Sequence, residues 1–317
     1  MVKTFFDFCS GIGTGRMALE SLGLECVGHC EIDMSAINTY HIFFNDMVVN
    51  YGDIMNVNIK SLPNFDIMLA GFPCQTFSIN GKRAGFLDDR GQIIFGLIEI
   101  LKIKKPKYFI LENVKGLVNH NNGKTIQEIV NSLVQLGYHV EYNILNSLNY
   151  GVPQMRERVY FVGIKKENYH KVFNWNYYEK IEKFSKFLDK NNTNFLENDN
   201  ITFQKYLTNK YNIGKYEINS LLEQDELVLD TRQSDLRLYK NKFPTLRTGR
   251  HGILYVKNKR FVKLNGFEAL LLQGVPQKYA NKILIHNLNN LKILSQAGNA
   301  MTVNVIEKLV GEILTYE

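Results

Sequence analysis

The sequence predicts a doubly wound α/β domain. Short apolar runs alternate with segments of 3.6-residue apolar spacing across the first 165 residues, and glycines fall where the helices should stop. Strands are expected at residues 3–8, 24–30, 65–70, 107–111, 138–145 and 158–164. Helices are expected at 16–22, 34–44, 92–102 and 124–136. Gly23 and Gly137 sit just past two of those helices, at the C′ position that glycine fills without steric cost.

After about residue 165 the alternation gives way to Lys, Asn, Tyr and Phe in irregular order, with a loop-like stretch at 190–200. Apolar periodicity returns at 267–272 and 303–314, the latter a helix able to pack on the first domain. The economical arrangement is a discontinuous large domain, 1–170 with 285–317, interrupted by a small domain at 171–256 and a hinge or return segment at 257–284.

A chain of 317 residues buries a full core, and 45% hydrophobic with 22% charged residues excludes wholesale disorder. No window approaches the roughly 18 apolar residues of a spanning helix. The start runs directly into a strand and a glycine loop rather than a signal peptide, so a cytoplasmic chain is expected. Cys9, Cys26, Cys30 and Cys74 are too few and too poorly spaced for a disulfide framework or a zinc site. Cys26 and Cys30 read as buried thiols near a strand.

The formal charge of +7 favours a polyanionic partner only weakly. Its distribution says more. Residues 231–263 carry Arg232, Arg237, Lys240, Lys242, Arg247, Arg250, Lys257, Lys259, Arg260 and Lys263 against Asp235 alone, a local +9 that leaves the rest near −2. A solvated basic surface and a nucleic-acid face are both compatible with that run.

Four motifs carry chemistry. Asp7-Phe8-Cys9-Ser10-Gly11-Ile12-Gly13 follows the first strand and precedes a helix, as a loop that approaches a ligand closely or as an ordinary tight turn. Glu31 ends the next strand, where a carboxylate accepts the hydroxyls of a ribose; Arg16 stands where a dinucleotide fingerprint needs glycine, so NAD is disfavoured. Gly71-Phe72-Pro73-Cys74-Gln75 places a thiol at the carboxyl end of a parallel strand, a nucleophile's position or a half-buried loop cysteine. Glu112-Asn113-Val114 ends the next strand, and Arg156 and Arg158, two residues apart, are expected on one face of a strand.

In order and spacing these motifs resemble the C5-cytosine DNA methyltransferases, together with Gly52-Asp53-Ile54, residues 85–95, Pro244-Thr245-Leu246 and Gln296-Ala297-Gly298-Asn299-Ala300. Only about 166–235 lacks a match. The resemblance implies an S-adenosylmethionine-dependent, Rossmann-like catalytic domain with an inserted DNA-recognition domain. It implies a DNA (cytosine-5-)-methyltransferase in which Cys74 attacks carbon 6 of a flipped-out cytosine, Glu112 holds or protonates N3, Arg158 holds O2, and Arg156 positions the cysteine or a phosphate. Asp7, Ser10, Gly11, Gly13 and Pro73 would shape the cofactor pocket. Glu31 would bind ribose, Ile32, Asp53 and Ile54 would flank adenine, and Asn299 and Ala300 would close the methionine side. Cys9 and Ile32 replace residues that are frequently aromatic in the family, which removes aromatic surface beside the cofactor.

Ser78, Lys82 and Arg83 lie in a glycine-hinged stretch, 78–95, expected to close over DNA. Arg232, Arg237, Arg247 and Arg250 are expected to contact DNA from the small domain. Double-stranded DNA is the expected partner of a monomeric bacterial or phage modification enzyme, paired with a restriction nuclease for the same site. No membrane association is expected. An RNA-cytosine methyltransferase shares the chemistry, but the tRNA-type Cys-Phe-Thr signature is absent; a non-enzymatic DNA-binding relic conflicts with intact Cys74, Glu112, Arg156 and Arg158.

Overall fold

The structure, a computed structural model, describes residues 1–73 and 93–317. Cys74, Ser78, Lys82 and Arg83 lie outside the described residues. The chain divides into two compact units. The first comprises Met1–Asn146, Glu157–Tyr177 and Met301–Glu317, and the second Ser147–Arg156 and Tyr178–Ala300.

In the first unit β1 (Thr4–Phe8), α1 (Thr14–Ser21), β2 (Glu25–Cys30), α2 (Met34–Phe44), β3 (Ile67–Gly71), α3 (Ile93–Lys104), β4 (Tyr108–Val114), α4 (Lys124–Gln135) and β5 (Tyr138–Asn146) follow in order. After β6 (Gln154–Met155), which belongs to the second unit, β7 (Glu157–Lys165) completes a six-stranded sheet of order β2-β1-β3-β4-β7-β5. The pairs from β2 to β4 are parallel, whereas β7 runs antiparallel to both β4 and β5. Central strands are buried on both faces, which is why they read as continuous apolar runs: Phe5, Phe6, Ile67, Met68, Leu69, Phe109 and Ile110 are all fully buried. Gly163 on β7 accommodates the Phe109 ring, since a Cβ there would lie 1.9 Å from it. The expected strands and helices of this unit are found within a few residues of their predicted ends. Cys26 and Cys30 are buried thiols, each pushed up to about 12, chiefly by burial.

The second unit holds β8 (Phe195–Leu196), α5 (Ile201–Leu207), α6 (Ile218–Leu222), β9 (Leu227–Asp230), β10 (Arg237–Lys240), β11 (Phe243–Pro244), β12 (Ile253–Lys257), β13 (Arg260–Lys263), α7 (Gly266–Leu272), α8 (Gln277–Ile285) and α9 (Asn290–Asn299). Five strands form an antiparallel sheet, β10-β9-β12-β13-β8, over a core that includes Phe203, Leu207, Leu229, Leu254 and Phe261. β6 and β11 pair separately. The expectation of a hinge at 257–284 and a return at 285 is corrected here. β13, α7, α8 and α9 all belong to the second unit, which ends at Ala300. The cause is nonlocal: Tyr255 on β12 donates to Glu268 on α7 at 2.6 Å, Asn192 donates to the same carboxylate at 2.9 Å, and Asn265 closes a capping box with it.

The last helix, α10 (Val303–Leu314), returns to the first unit with its apolar stripe buried, as its periodicity predicts. Gly15 lets α1 approach the sheet there, because a Cβ would lie 2.3 Å from Leu69 and 3.0 Å from Met301. Among the described residues no helix is long and apolar enough to cross a membrane.

Candidate active site

Backbone geometry in the glycine loop separates two roles for its glycines. Gly11 and Gly13 have φ of +54° and +81°, a region that disfavours side chains. A Cβ on Gly13 would lie 2.4 Å from Phe44 and 2.8 Å from Tyr40, so this glycine lets α2 pack against the loop. A Cβ on Gly11 would meet nothing within 4 Å, so the loop borders open space there.

Glu31, just past β2, is oriented by three backbone donors. The Gly11 amide donates to Oε2 at 2.8 Å, and the amides of Ile32 and Asp33 donate to Oε1, both at 2.8 Å. Asn50 clamps the same segment: its Oδ1 accepts from the amides of Glu31 and Gly52, and its Nδ2 donates to the Glu31 carbonyl. That clamp brings Gly52-Asp53-Ile54 beside Glu31. Asp53 accepts from the Met55 amide and Asn56, Ile54 is buried, and Ile32 is 67% exposed.

Behind the loop lies a buried polar group. Ser10 turns its hydroxyl to Nδ1 of His29 at 3.0 Å, leaving its backbone to line the loop. His29 stacks on Tyr40 and is pushed down to about 4, first by burial and then by the Arg16 and His41 charges. Arg16 pairs with Glu20 and Asp46 and lies over the Phe44 ring, which ties α1 to α2. Asp7 is fully buried, and its carboxyl faces the Arg16 amide without a hydrogen bond of full geometry. Burial lifts it to about 8 against the pull of the Arg16 amide and charge. The Cys9 thiol is raised strongly by burial and then by the charges of Glu31, Cys30, Asp7 and Asp53. Open space at Gly11 and an oriented carboxylate at the end of β2 fit the nucleoside of S-adenosylmethionine.

The second half of the site is built at the ends of β3, β4 and β7. Gly71 pairs in register with Glu112, and a Cβ on Gly71 would lie 3.6 Å from Oε2 of Glu112. Asn113 donates from Nδ2 to the Phe72 carbonyl at 3.0 Å, which fixes the chain as it enters exposed Pro73. Arg158 is opposite Val114 and hence diagonal to Glu112 on the same face; its Nε lies 3.1 Å from Oε1 of Glu112. Both side chains are largely buried, at 14% and 9% exposure.

Arg156 departs from expectation. A break between β6 and β7 puts it outside the strand that carries Arg158, and the two residues fall in different units. Its buried guanidinium donates to the carbonyls of Leu246, Gly298 and Ala300. Three of its N–H donors go to neutral carbonyls, which ties the Leu246 segment to the end of α9. Gln154 supports the same region, accepting from the Leu246 amide and donating to the Leu272 carbonyl. Asn299 accepts from the Thr248 hydroxyl at 2.6 Å, and Ala300 caps α9.

The basic stretch is unequal. The Arg232 side chain is 4% exposed, paired with Asp230 and bonded to the Thr245 carbonyl. Arg237 pairs with Asp235, Lys259 with Glu223 and Arg260 with Glu197. Arg247 and Arg250 are exposed. Sequence reasoning missed Asn50, Asn113 and His29. Asn113 stood in plain view inside Glu-Asn-Val, whereas nothing in the neighbourhood of Asn50 or His29 marks them before the strands are paired.

The family model described as C-5 cytosine-specific DNA methylase matches residues 3–315. The chain is 32% identical over 311 residues to the Type II methyltransferase M.HaeII of Haemophilus aegyptius, covering 97% of this chain and 92% of that one. It is 33% identical over 313 residues to the Type II methyltransferase M.Bsp6I of Bacillus sp. (strain RFL6), covering 96% of each. In fold it is similar to the Dnmt2 methyltransferase of S. pombe, with a TM-score of 0.73 over 98% of both chains at 17% identity. With the glycine loop, Glu31 and the Glu112–Arg158 pair in place, the chain belongs to the C-5 cytosine-specific DNA methylases and is a DNA cytosine-5-methyltransferase of the restriction-modification type.

Proposed function

We propose that the protein methylates carbon 5 of a flipped-out cytosine within a specific duplex sequence, through a covalent bond between Cys74 and carbon 6. The observation that carries this reading is the Glu112–Arg158 pair beside the end of β3, two residues before Pro73-Cys74. Carbon 5 of cytosine is a weak nucleophile. Addition of the Cys74 thiolate to carbon 6 pushes the ring electrons toward N3 and makes carbon 5 enamine-like. Glu112 holds a proton at N3 as that charge develops, and Arg158 both orients Glu112 and donates to O2. S-adenosylmethionine, when bound, supplies an electrophilic methyl group on sulfonium. Loss of the carbon-5 proton to a base then expels the Cys74 thiolate and restores the aromatic ring.

Glu31 would accept the ribose hydroxyls, and Asp53 with Ile54 and Ile32 would hold the adenine. Gly11 gives the cofactor room, with Asp7 and the Ser10 backbone behind it. Asn299 and Ala300 are assigned to the methionine side, Pro73 to the same pocket, and Lys82, Arg83 and Ser78 to DNA, on the motif match alone. The second unit is assigned to target recognition, and a restriction endonuclease for the same site is the partner enzyme.

The test is to incubate the protein and its Cys74→Ser variant with unmodified plasmid and S-adenosylmethionine, and to map 5-methylcytosine by sequencing. Methylation at one recurrent sequence, lost in the variant, is expected; methyl transfer unchanged in Cys74→Ser would remove the nucleophile assignment. A duplex bearing 5-fluorocytosine at the target should trap a denaturation-resistant adduct with the unaltered protein.

A further inference from the structure

We propose that Arg247 and Arg250 form a two-pronged guanine reader, and that the methylated sequence holds guanine at fixed positions that these two side chains determine. The inference rests on the proposed DNA-sequence specificity and names the residues and the base that carry it.

The two arginines flank a two-residue turn. Arg247 and Arg250 are joined by an antiparallel bridge, with the Arg250 amide 3.4 Å from the Arg247 carbonyl. Gly249 at the third position has φ of +68°, the conformation that a type II turn demands there. Both side chains therefore leave adjacent points of one tight turn. Turns of this kind on a protein surface are ordinarily mobile, but this one is pinned.

The pins come from both sides. Thr248 donates to the Ser295 carbonyl at 2.9 Å and to Asn299 at 2.6 Å. His251 meets the Ser295 hydroxyl at 3.2 Å. Gly298 allows the contact to be this close, because a Cβ there would lie 2.5 Å from the Thr248 nitrogen and 2.6 Å from the Arg247 carbonyl carbon. At the entry to the turn, Leu246 is held by Gln154 at its amide and by Arg156 at its carbonyl. The backbone under the two arginines is thus fixed to α9 and to β6.

Charge pairing separates these arginines from the others in their unit. Arg156 and Arg232 are buried and spent on carbonyls and Asp230, while Arg237 and Arg260 face Asp235 and Glu197. Arg247 and Arg250 are exposed and make no direct ion pair among the described residues; the Arg247 charge reaches Asp230 only as a secondary influence behind Arg232. A fixed backbone carrying two exposed planar forks suits bidentate recognition, and the O6/N7 edge of guanine is the major-groove feature that offers two acceptors at that spacing. Preorganisation also reduces the entropy lost on binding. A loop meant only to attract phosphate gains nothing from being locked in register, since phosphate contacts carry no sequence information.

The experiment uses the whole protein, S-adenosylmethionine and a plasmid library with randomised sequence, with methylated contexts read by sequencing. The unaltered protein should methylate contexts that share guanine at fixed distances from the target. Arg247→Gln and Arg250→Gln should each relax one such position, and kcat/KM on the original site should fall about 5- to 150-fold, the range that one bidentate base contact supplies. Arg250→Lys should keep the salt dependence of binding but lose the discrimination. Replacing the contacted guanine by 7-deazaguanine should weaken the unaltered protein and leave the Gln variant indifferent. Contexts without a shared guanine would overturn the proposal. So would variants that weaken all sequences equally while lowering the salt slope by about one. If the unaltered protein made no 5-methylcytosine at all, the methyltransferase reading would be at fault. Binding of guanine and 7-deazaguanine duplexes, followed by fluorescence anisotropy, would still decide the arginines.

Discussion

Arg158 reaches Glu112 across the only kind of strand pair that could bring them together in this sheet: β7 runs antiparallel to β4, so Arg158 lies opposite Val114 and diagonal to Glu112, with Nε 3.1 Å from Oε1. In a parallel arrangement the start of β7 would lie at the far end of β4. The reversed strand delivers the guanidinium to the end of the sheet where β3 leads into Pro73.

Glu112→Gln should lower the single-turnover rate of methyl transfer by about 10²- to 10⁴-fold, the span ordinarily supplied by a positioned acid or base, while DNA binding in a filter assay persists. Arg158→Ala should lower the same rate. Because the two side chains act as one unit, the double variant should be little slower than the worse single one. Additive losses would show that they act separately.

Stability should depend on pH through Asp7 and Glu268. Burial raises Asp7 from 3.8 to about 8 and Glu268 from 4.5 to about 7, so the folded protein retains protons that the unfolded chain has released. Each group therefore lowers stability as pH rises from about 4 toward 7 or 8, by at most about 1.4 kcal/mol per pH unit. Asp7→Asn should leave the melting temperature of the cofactor-free protein nearly unchanged at pH 4 and raise it relative to the unaltered protein at pH 9. Thermal melts across that range check the sign.

Gly13→Ala and Gly11→Ala should fail in different ways. Both place a side chain at positive φ, a cost of about 1–2 kcal/mol, but Gly13→Ala also drives a methyl into Phe44 and Tyr40. The larger loss of melting temperature is expected for Gly13→Ala. Gly11→Ala should fold and show the larger loss of S-adenosylmethionine affinity by calorimetry, because its methyl enters the open space.

Arg232→Ala should destabilise the protein by about 3–5 kcal/mol, because it strands the buried Asp230 carboxylate. Burial opposes the charge on that carboxylate, yet the Arg232 hydrogen bonds and charge hold it below the usual range. Urea unfolding should show a lower midpoint for Arg232→Ala and an unchanged one for Arg250→Gln. Equal midpoints would mean that Arg232 is not a structural cation.

Local pattern and covalent order were enough to determine the first unit's strands and helices, the glycine loop, Glu31 at the end of β2 and the order of the chemical motifs. Apolar periodicity and glycine punctuation act over a few residues, so they survive in a linear string. What the tertiary structure decided was set by pairing across long separations. The reversal of β7 put Arg158 on Glu112 and left Arg156 to bind three carbonyls. Asn50 became the clamp of Glu31, and β13, α7, α8 and α9 joined the second unit. The +9 stretch is the clearest case: a formal charge is a property of composition, but whether a cation is available depends on the acids folded against it. Asp230, Glu223 and Glu197 pair with Arg232, Lys259 and Arg260, while Arg247 and Arg250 stay exposed with no direct ion pair among the described residues.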